Sequence, residues 1–363
     1  MHFLRLLWAA LARVVSNLLA LMFRERHSAR SEAIRAQGHA FVAAVRNGLA
    51  PAARSPSPRT PVVEELGLSR PGGIVEVRFR GGRPLLSRAA PDAAPSLVSR
   101  RRGYVDFLSL VGFVEPRDAH FLLHLADHPG SLDGDTLPSW VFNRKLGSSD
   151  RSVIVPDPHF VGTRGYARVR QSLDRAHIPW HERQPRAMFR GSSTGGSLRA
   201  GQRSSDNPRV RLCLRSLEIP TELDARITRV VNADPERAAE LAALGVTGEY
   251  MWPSAQAAFK YVVSIDGWAG EWDGLYWKLS SGSAVLLVES AWAQWYTDRL
   301  EPFVHYVPVS ADLSNLAEQI GWCREHDAEC QAIAQRARMF LDQHVTFARA
   351  VRYTAEQLKT LGA

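Results

Sequence analysis

Lysine is scarce in this 363-residue chain. Lys145, Lys260, Lys278 and Lys359 are the only four, and the rest of its 45 basic residues are arginines. Cysteine is scarcer: Cys213, Cys323 and Cys330 cannot build a disulfide framework, and no Cys–His cluster has zinc spacing. Cys323 and Cys330, seven apart in a helical stretch, read as small buried side chains. There is no internal repeat, no Walker A loop and no G-x-G-x-x-G opening. No uncharged apolar run reaches the ~20 residues that a membrane span needs. Hydrophobic residues at 45% and charged residues at 23% exclude a disordered chain, a collagen-like fibre and a polytopic membrane protein. What is present is apolar material for roughly two domains. The formal charge is +8 and the pI about 9.7. That balance implies an anionic partner: nucleic acid, a nucleotide substrate or an anionic membrane. Arginine forks suit phosphate and carboxylate better than lysine does.

Residues 3–23 place Leu4, Leu7, Trp8, Leu11, Val14, Val15, Leu18, Leu19 and Met22 at three- and four-residue steps, an amphipathic helix pattern. The first 50 residues hold seven arginines against Glu25 and Glu32. Such a helix can lie on an anionic membrane surface or dock on its own domain. Residues 50–61, rich in Pro and Ser, read as a linker. Ile74–Arg80 alternates between glycine pairs and predicts a strand in a hairpin. Arg100-Arg101-Arg102 reads as a solvated turn.

Beyond that, apolar runs alternate with helical stretches. Phe121–Ala126, Val153–Val155, Ala187–Phe189, Tyr261–Ile265 and Ala284–Val288 read as strands. Glu236–Leu244, Leu275–Leu279 and everything from about Leu313 onward read as helix. This order predicts an α/β fold with parallel sheets, whose ligands bind at the carboxyl ends of the strands.

Three stretches there could carry chemistry. Met188-Phe189-Arg190-Gly191-Ser192-Ser193-Thr194-Gly195-Gly196 brings an arginine, hydroxyls and paired glycines to a strand end, the makings of an anion nest. A flexible Gly/Ser loop is the commoner meaning. Asp127, before His128-Pro129, follows a strand and suits a general base or an ordinary turn. Residues 259–283 join Lys260, Ser264-Ile265-Asp266-Gly267, a Trp- and Gly-rich loop and Lys278. Its tryptophans would stack on a sugar or base, or anchor the loop. Asp133-Gly134-Asp135 has a D-x-D form too short to assign a metal.

Taken in order, several segments resemble glycosyltransferase family 90. They are Phe189-Arg190-Gly191-Ser192, Lys260 through Gly267, Gly282-Ser283-Ala284-Val285-Leu286, Trp295-Tyr296, Leu300 through Val309, and Asp312 through Leu316. The resemblance spans about 120–350. It implies a glycosyltransferase B type fold, two Rossmann-like domains facing across a cleft, here 62–183 on the acceptor side and 184–345 on the donor side. Residues 1–50 would form the basic amphipathic segment, and 346–363 a C-terminal helix able to pack back on the first domain. It implies an inverting, metal-independent transferase, needing no cofactor, that moves a sugar of the glucose or xylose class from a UDP-sugar to a hydroxyl of a glycan, lipopolysaccharide or protein. Asp127 would match the family's catalytic base. Arg190, Gly191, Ser192 and Thr194, with Lys260, Asp266 and Gly267, would match the donor site, and Glu289 could hold ribose hydroxyls or be a surface acid at a strand end.

Two departures stand out. Where some members carry an Arg after Phe-Arg-Gly-Ser, this chain has Ser193. Where many carry one shortly after Asp-Gly, it has Asp273 and Gly274. A departing diphosphate still needs cationic or N–H stabilisation, and Arg199, Arg203, Arg209, Lys260 and Lys278 are the possible substitutes. The missing arginines also fit a non-catalytic relative that binds a glycan or nucleotide. Arginines spread along the chain, instead of forming one basic stripe, argue against nucleic acid. The implied location is cytoplasmic, at the inner membrane face if the first helix attaches there.

Overall fold

The computed structural model describes residues 73–88, 94–127, 136–149, 151–198 and 201–361. The amphipathic segment 3–23, the linker 50–61, Asp133, Asp135 and Arg199 lie outside them. The described residues belong to one compact unit, Val63–Ala363.

The first half opens with β1 (Ile74–Arg80) and β2 (Arg83–Leu86), the expected hairpin, turned at Gly81-Gly82. Helix α1 (Pro95–Val114) follows, with proline in its first turn where no N–H is missed. Then come β3 (Ala119–His124), β4 (Ser139–Val141), β5 (Arg144–Lys145), β6 (Val153–Ile154), α2 (Pro158–Gly162) and α3 (Ala167–Arg175). The sheet order is β2-β1-β3-β4-β6, with β3, β4 and β6 parallel and β1 antiparallel to β3.

The second half runs β7 (Gln184–Ser192), α4 (Pro208–Glu218), β8 (Leu223–Arg229), α5 (Pro235–Ala243), α6 (Pro253–Gln256), β9 (Phe259–Ser264), α7 (Asp273–Ser280) and β10 (Ala284–Val288). After these come β11 (Trp292–Ala293), β12 (Val307–Val309), α8 (Leu316–Glu325), α9 (Asp327–His344) and α10 (Phe347–Thr360). Its sheet is fully parallel in the order β12-β10-β9-β7-β8. The chain leaves β7 for β8 on one side and returns to β9 on the other. The switch point of the sheet therefore lies between the carboxyl ends of these two strands, where such sheets form their ligand crevice.

The α/β class and the two halves expected from the sequence are both present. The halves share apolar packing. The first core holds Phe79, Phe107, Phe121 and Trp140, and it runs on into Tyr276 and Leu279 of α7 and Leu341 of α9. The second holds Phe189, Tyr261, Val263, Leu286, Ile320 and Ile333. Helix α10 crosses back to α1, where the Phe107 and Phe347 rings meet edge to face at 5.8 Å. Strands β5 and β11, one from each half, form a two-stranded antiparallel ribbon.

One expectation is corrected and two are refined. Arg100-Arg101-Arg102 is no turn but part of α1, whose buried stripe Tyr104, Phe107, Leu108 and Val111 commits the segment to helix. The stretch after Leu313 is three helices, broken at His326 and at Val345. Cys323 and Cys330 accordingly sit on different helices, both free and fully buried in the second core. Strand β8, with Leu223, Ala225 and Ile227 buried in alternation, was not anticipated. Among the described residues no helix is long and apolar enough to cross a membrane.

Candidate functional site

Strand β7 ends in a bulge between Gly191 and Ser192. The Phe189 ring curls beneath Gly191, where a Cβ would lie 2.7 Å from it. Ser193 is fully buried, its hydroxyl donating to the Val231 carbonyl at 3.1 Å and accepting from the Val231 N–H at 2.9 Å. Asn207 Nδ2 donates to the Ser193 carbonyl at 2.9 Å, while its Oδ1 caps α4 by accepting from the Arg209 and Val210 N–H groups. The loop then meets the one after β9. Gly195 has a left-handed φ of 103°, and a Cβ there would lie 3.0 Å from the Gly267 carbonyl. A Cβ on Gly267 would lie 2.6 Å from Thr194 Oγ1. Side chains at either position would drive the loops apart.

Arg209 staples the two loops together. Its Nε donates to the Asp266 carbonyl, one terminal nitrogen to the Ser192 carbonyl and Thr194 Oγ1, and the other to the Ile265 carbonyl and Glu271 Oε1. That uses all five guanidinium N–H groups. Glu271 also accepts from Lys278 Nζ and from Ser264 Oγ, each at 2.5 Å. Burial pulls both cations toward lower pKa values, and Glu271 opposes this. Arg209 and Lys278 lie 5.9 and 5.6 Å from the centre of the Phe189 ring. The cluster holds two cations and one carboxylate under the crevice.

Beside it lies a pocket of about 460 Å³ lined by Ser264, Asp266, Glu271, Glu289, Ser290 and Asn315, among others, with Leu146 reaching in from next to β5. Asp266 accepts from Ser290 Oγ at 2.7 Å. Burial, reinforced by the nearby Glu271 charge, still pushes its carboxyl up to about 6. Glu289 is exposed, anchored by its N–H to the Val309 carbonyl at 2.8 Å. With Asp298, four acidic residues line this pocket, and they suit hydroxyl-bearing groups better than phosphate.

The first half contributes Asp127, three residues past β3. Its carboxylate pairs with Arg100 at 3.0 Å. The Arg100 guanidinium stacks 4.6 Å from the centre of the Trp272 ring, and Trp272 follows Glu271. Trp272 is held edge-on by Phe142 and His159, so this tryptophan anchors the loop. Asn143 Nδ2 donates to the Asp127 carbonyl at 3.4 Å, and its Oδ1 faces Gly270. The carboxyl end of β3 thus meets the loop after β9.

Comparison with known proteins decides the family. The model of Glycosyl transferase family 90 matches residues 118–362. The chain belongs to this family. Protein O-glucosyltransferase 3 of Homo sapiens is 28% identical over 241 residues, which cover 64% of this chain and 44% of that protein. Uncharacterized protein 035R of Invertebrate iridescent virus 3 is 35% identical over 174 residues, covering 46% of this chain and 15% of that protein. The chain therefore spans less than half the length of these relatives. A crystal structure of Anabaena Alr3699/HepE in complex with UDP and glucose is similar with a TM-score of 0.36 and 15% identity, over 53% of this chain and 52% of that one.

For a family 90 member, the structure distributes the expected site residues unevenly. Ser192, Thr194, Asp266 and Gly267 come together in the crevice, with Glu289 on the pocket beside it and Gly191 at the bulge. Two cations do not join them. Arg190 faces β8, where it bonds Asp224 Oδ2 at 2.7 Å and the Asp224 carbonyl at 2.9 Å. Its guanidinium already has a carboxylate partner, and it is absent from the pocket lining. Lys260 is the second residue of β9, whereas Asp266 lies past its end, about 15–20 Å away along an extended strand. There Lys260 pairs with Asp327 at 2.7 Å and lies over the Trp180 ring. Of the possible substitutes, Arg203 is exposed and paired with Asp206. Among the described residues, Arg209 and Lys278 are the two at the crevice. Sequence reasoning gave no role to Glu271, Arg100 or Asn143. Among the described residues no group of three or more His, Cys, Asp or Glu could hold a metal ion.

Proposed function

We propose that this chain transfers a sugar, glucose by preference, from a UDP-sugar to an acceptor hydroxyl with inversion. The nucleoside would occupy the 460 Å³ pocket, with Asp266 and Glu289 accepting from ribose hydroxyls. Asp127 would take the acceptor proton. The acceptor oxygen then bonds the anomeric carbon as the bond from that carbon to the diphosphate oxygen breaks. UDP leaves with the electron pair, and the proton stays on Asp127. One observation carries this reading: a half-exposed carboxylate at the end of β3 is fixed by Arg100 against the loop that lines the pocket. An exposed carboxylate keeps access to bulky acceptors, while its anchoring supplies orientation. The names of relatives such as protein O-glucosyltransferase 3 favour glucose as the donor sugar and a protein hydroxyl as acceptor. A lipopolysaccharide or other glycan would use the same step.

The alternative, a relative that binds a nucleotide or glycan without catalysis, is favoured by the occupied Arg190 and the buried Ser193. Release of UDP from UDP-glucose and other UDP-sugars, with and without chelator, separates the two. UDP release above the uncatalysed rate supports transfer. Tight UDP binding with no release supports the alternative.

A further inference from the structure

Among the described residues, the crevice lacks the arginines that the family resemblance leads one to expect against a diphosphate. Ser193 is buried against Val231 and leaves no outlet for a long side chain, and Arg190 is held by Asp224. Arg209 has every N–H engaged. Lys278 differs from all three. Its ammonium has three protons, and among the described residues its one hydrogen-bond acceptor is Glu271 Oε2, at 2.5 Å. Its remaining neighbours there include the faces of Phe189 and Trp277, at 5.6 and 5.7 Å. Glu271 lines the pocket and Lys278 does not, so the carboxylate stands between the pocket and the ammonium.

We propose that Lys278 is the cation that binds the donor diphosphate, and that Glu271 holds it as a counter-charge while the donor is away. This rests on the reading of the donor as a nucleoside diphosphate sugar. A phosphate oxygen entering beside Glu271 meets an ammonium with donor capacity to spare. The ammonium reaches it by pivoting on its flexible stem, without unpacking Arg209 or the loops that Arg209 staples. With Glu271 ionised, the Arg209–Glu271–Lys278 cluster carries a net single positive charge in a place sheltered from water, where charge acts more strongly than at the surface. Burial of Lys278 without a partner would favour its neutral form. Glu271 opposes that pull in the empty site.

Calorimetry with UDP and with uridine separates the diphosphate from the nucleoside. Lys278→Met should weaken UDP binding roughly ten- to a hundredfold, as loss of a charge-assisted hydrogen bond does. Uridine affinity should stay within about twofold, and Lys278→Arg should recover most of the UDP affinity. A parallel loss for both ligands, or no loss for either, overturns the assignment. If the wild-type protein binds neither, the donor reading itself fails. Should the Met variant not fold, the wild-type chain still decides. With only four lysines, a lysine-labelled sample gives few ammonium signals, and Lys278→Arg assigns the one for Lys278. That signal should move on addition of UDP and stay in place with uridine. A signal indifferent to UDP, in a protein that binds it, refutes the role.

Discussion

The carboxyl edges of the two sheets are built in opposite ways. At the second, nearly every polar atom is bonded. Arg209 ties Ser192, Thr194, Ile265, Asp266 and Glu271 into one network, and glycines at 195 and 267 let the loops cross without side chains between them. At the first, among the described residues, the Asp127 carboxylate stands 40% exposed on its ion pair with Arg100. A binding crevice must keep its shape when empty, so its cost is met during folding. The proposed proton acceptor would have to reach a hydroxyl on a partner of variable shape, which fits its staying exposed and only oriented. The two edges therefore predict different failures: loss of stability at one, loss of turnover at the other.

Asp127→Asn should break the comparison most visibly if it is wrong. Removing a general base costs ~10²–10⁴ in rate. The half-exposed pair with Arg100 contributes only ~0–1 kcal/mol to folding. Turnover of UDP-glucose should collapse while the urea midpoint and UDP affinity hold. Turnover within about tenfold of wild type would take Asp127 out of the mechanism.

Arg209→Met tests the other edge. It leaves the carbonyls of Ser192, Ile265 and Asp266 without a donor and deprives Glu271 of one of its two cations. Stability should fall by about 3–5 kcal/mol, the usual effect of removing one partner from a buried charged network. A loss below about 1 kcal/mol in urea unfolding would show that the loops hold without the staple.

These networks explain how much could be read beforehand. β9 and β10 were legible because strands buried on both faces are short continuous apolar runs. α4 was not read beforehand, although Asn207-Pro208 marks its start through a cap and a first-turn proline. The partners of Arg209 were not legible. They lie at 192–194 and 265–271, brought together by strand pairing across tens of residues, and no local pattern encodes that. Arg190 was misread for a related reason. Its partner Asp224 sits on β8, an arginine-bearing strand whose alternation of Leu223, Ala225 and Ile227 was passed over. Without β8 the arginine had no neighbour but the ligand. Arg100 was hidden in a charged run, although it stands four residues before Tyr104 on the buried stripe of α1.

The first half does have a rigid polar element, placed beneath its edge. Asp157 is fully buried, capping α2 through the Phe160 N–H at 2.9 Å and accepting from Tyr166 Oη at 2.7 Å. Burial pushes its carboxyl up to about 6 despite those bonds. A raised folded value means the native state holds its proton more tightly than the unfolded chain does. Its contribution is therefore most favourable below about pH 4 and declines as pH rises through 6, by about 2–3 kcal/mol. Asp157→Asn keeps an amide that can cap and accept, but it cannot ionise. The fall in Tm between pH 5 and pH 7.5 should be shallower in this variant. Parallel wild-type and variant slopes would show that Asp157 does not set it.

The smallest effect belongs at the opposite end of β9. Lys260 pairs with Asp327, whose side chain is 46% exposed, and it covers Trp180. An ion pair so open to water contributes ~0–1 kcal/mol. Between it and the crevice runs the full length of the strand, and the Arg209 network closes the far end. Lys260→Met should therefore shift the urea midpoint only slightly and leave UDP affinity unchanged, in contrast to Lys278→Met. The two lysines are eighteen residues apart in sequence; Lys260 sits at the amino end of β9, and Lys278, on α7, bonds Glu271 of the loop that follows the strand's carboxyl end. A marked loss of UDP affinity in Lys260→Met would mean that charge at the amino edge is felt across the sheet, and the division of the second half into a binding edge and a structural edge would have to be abandoned.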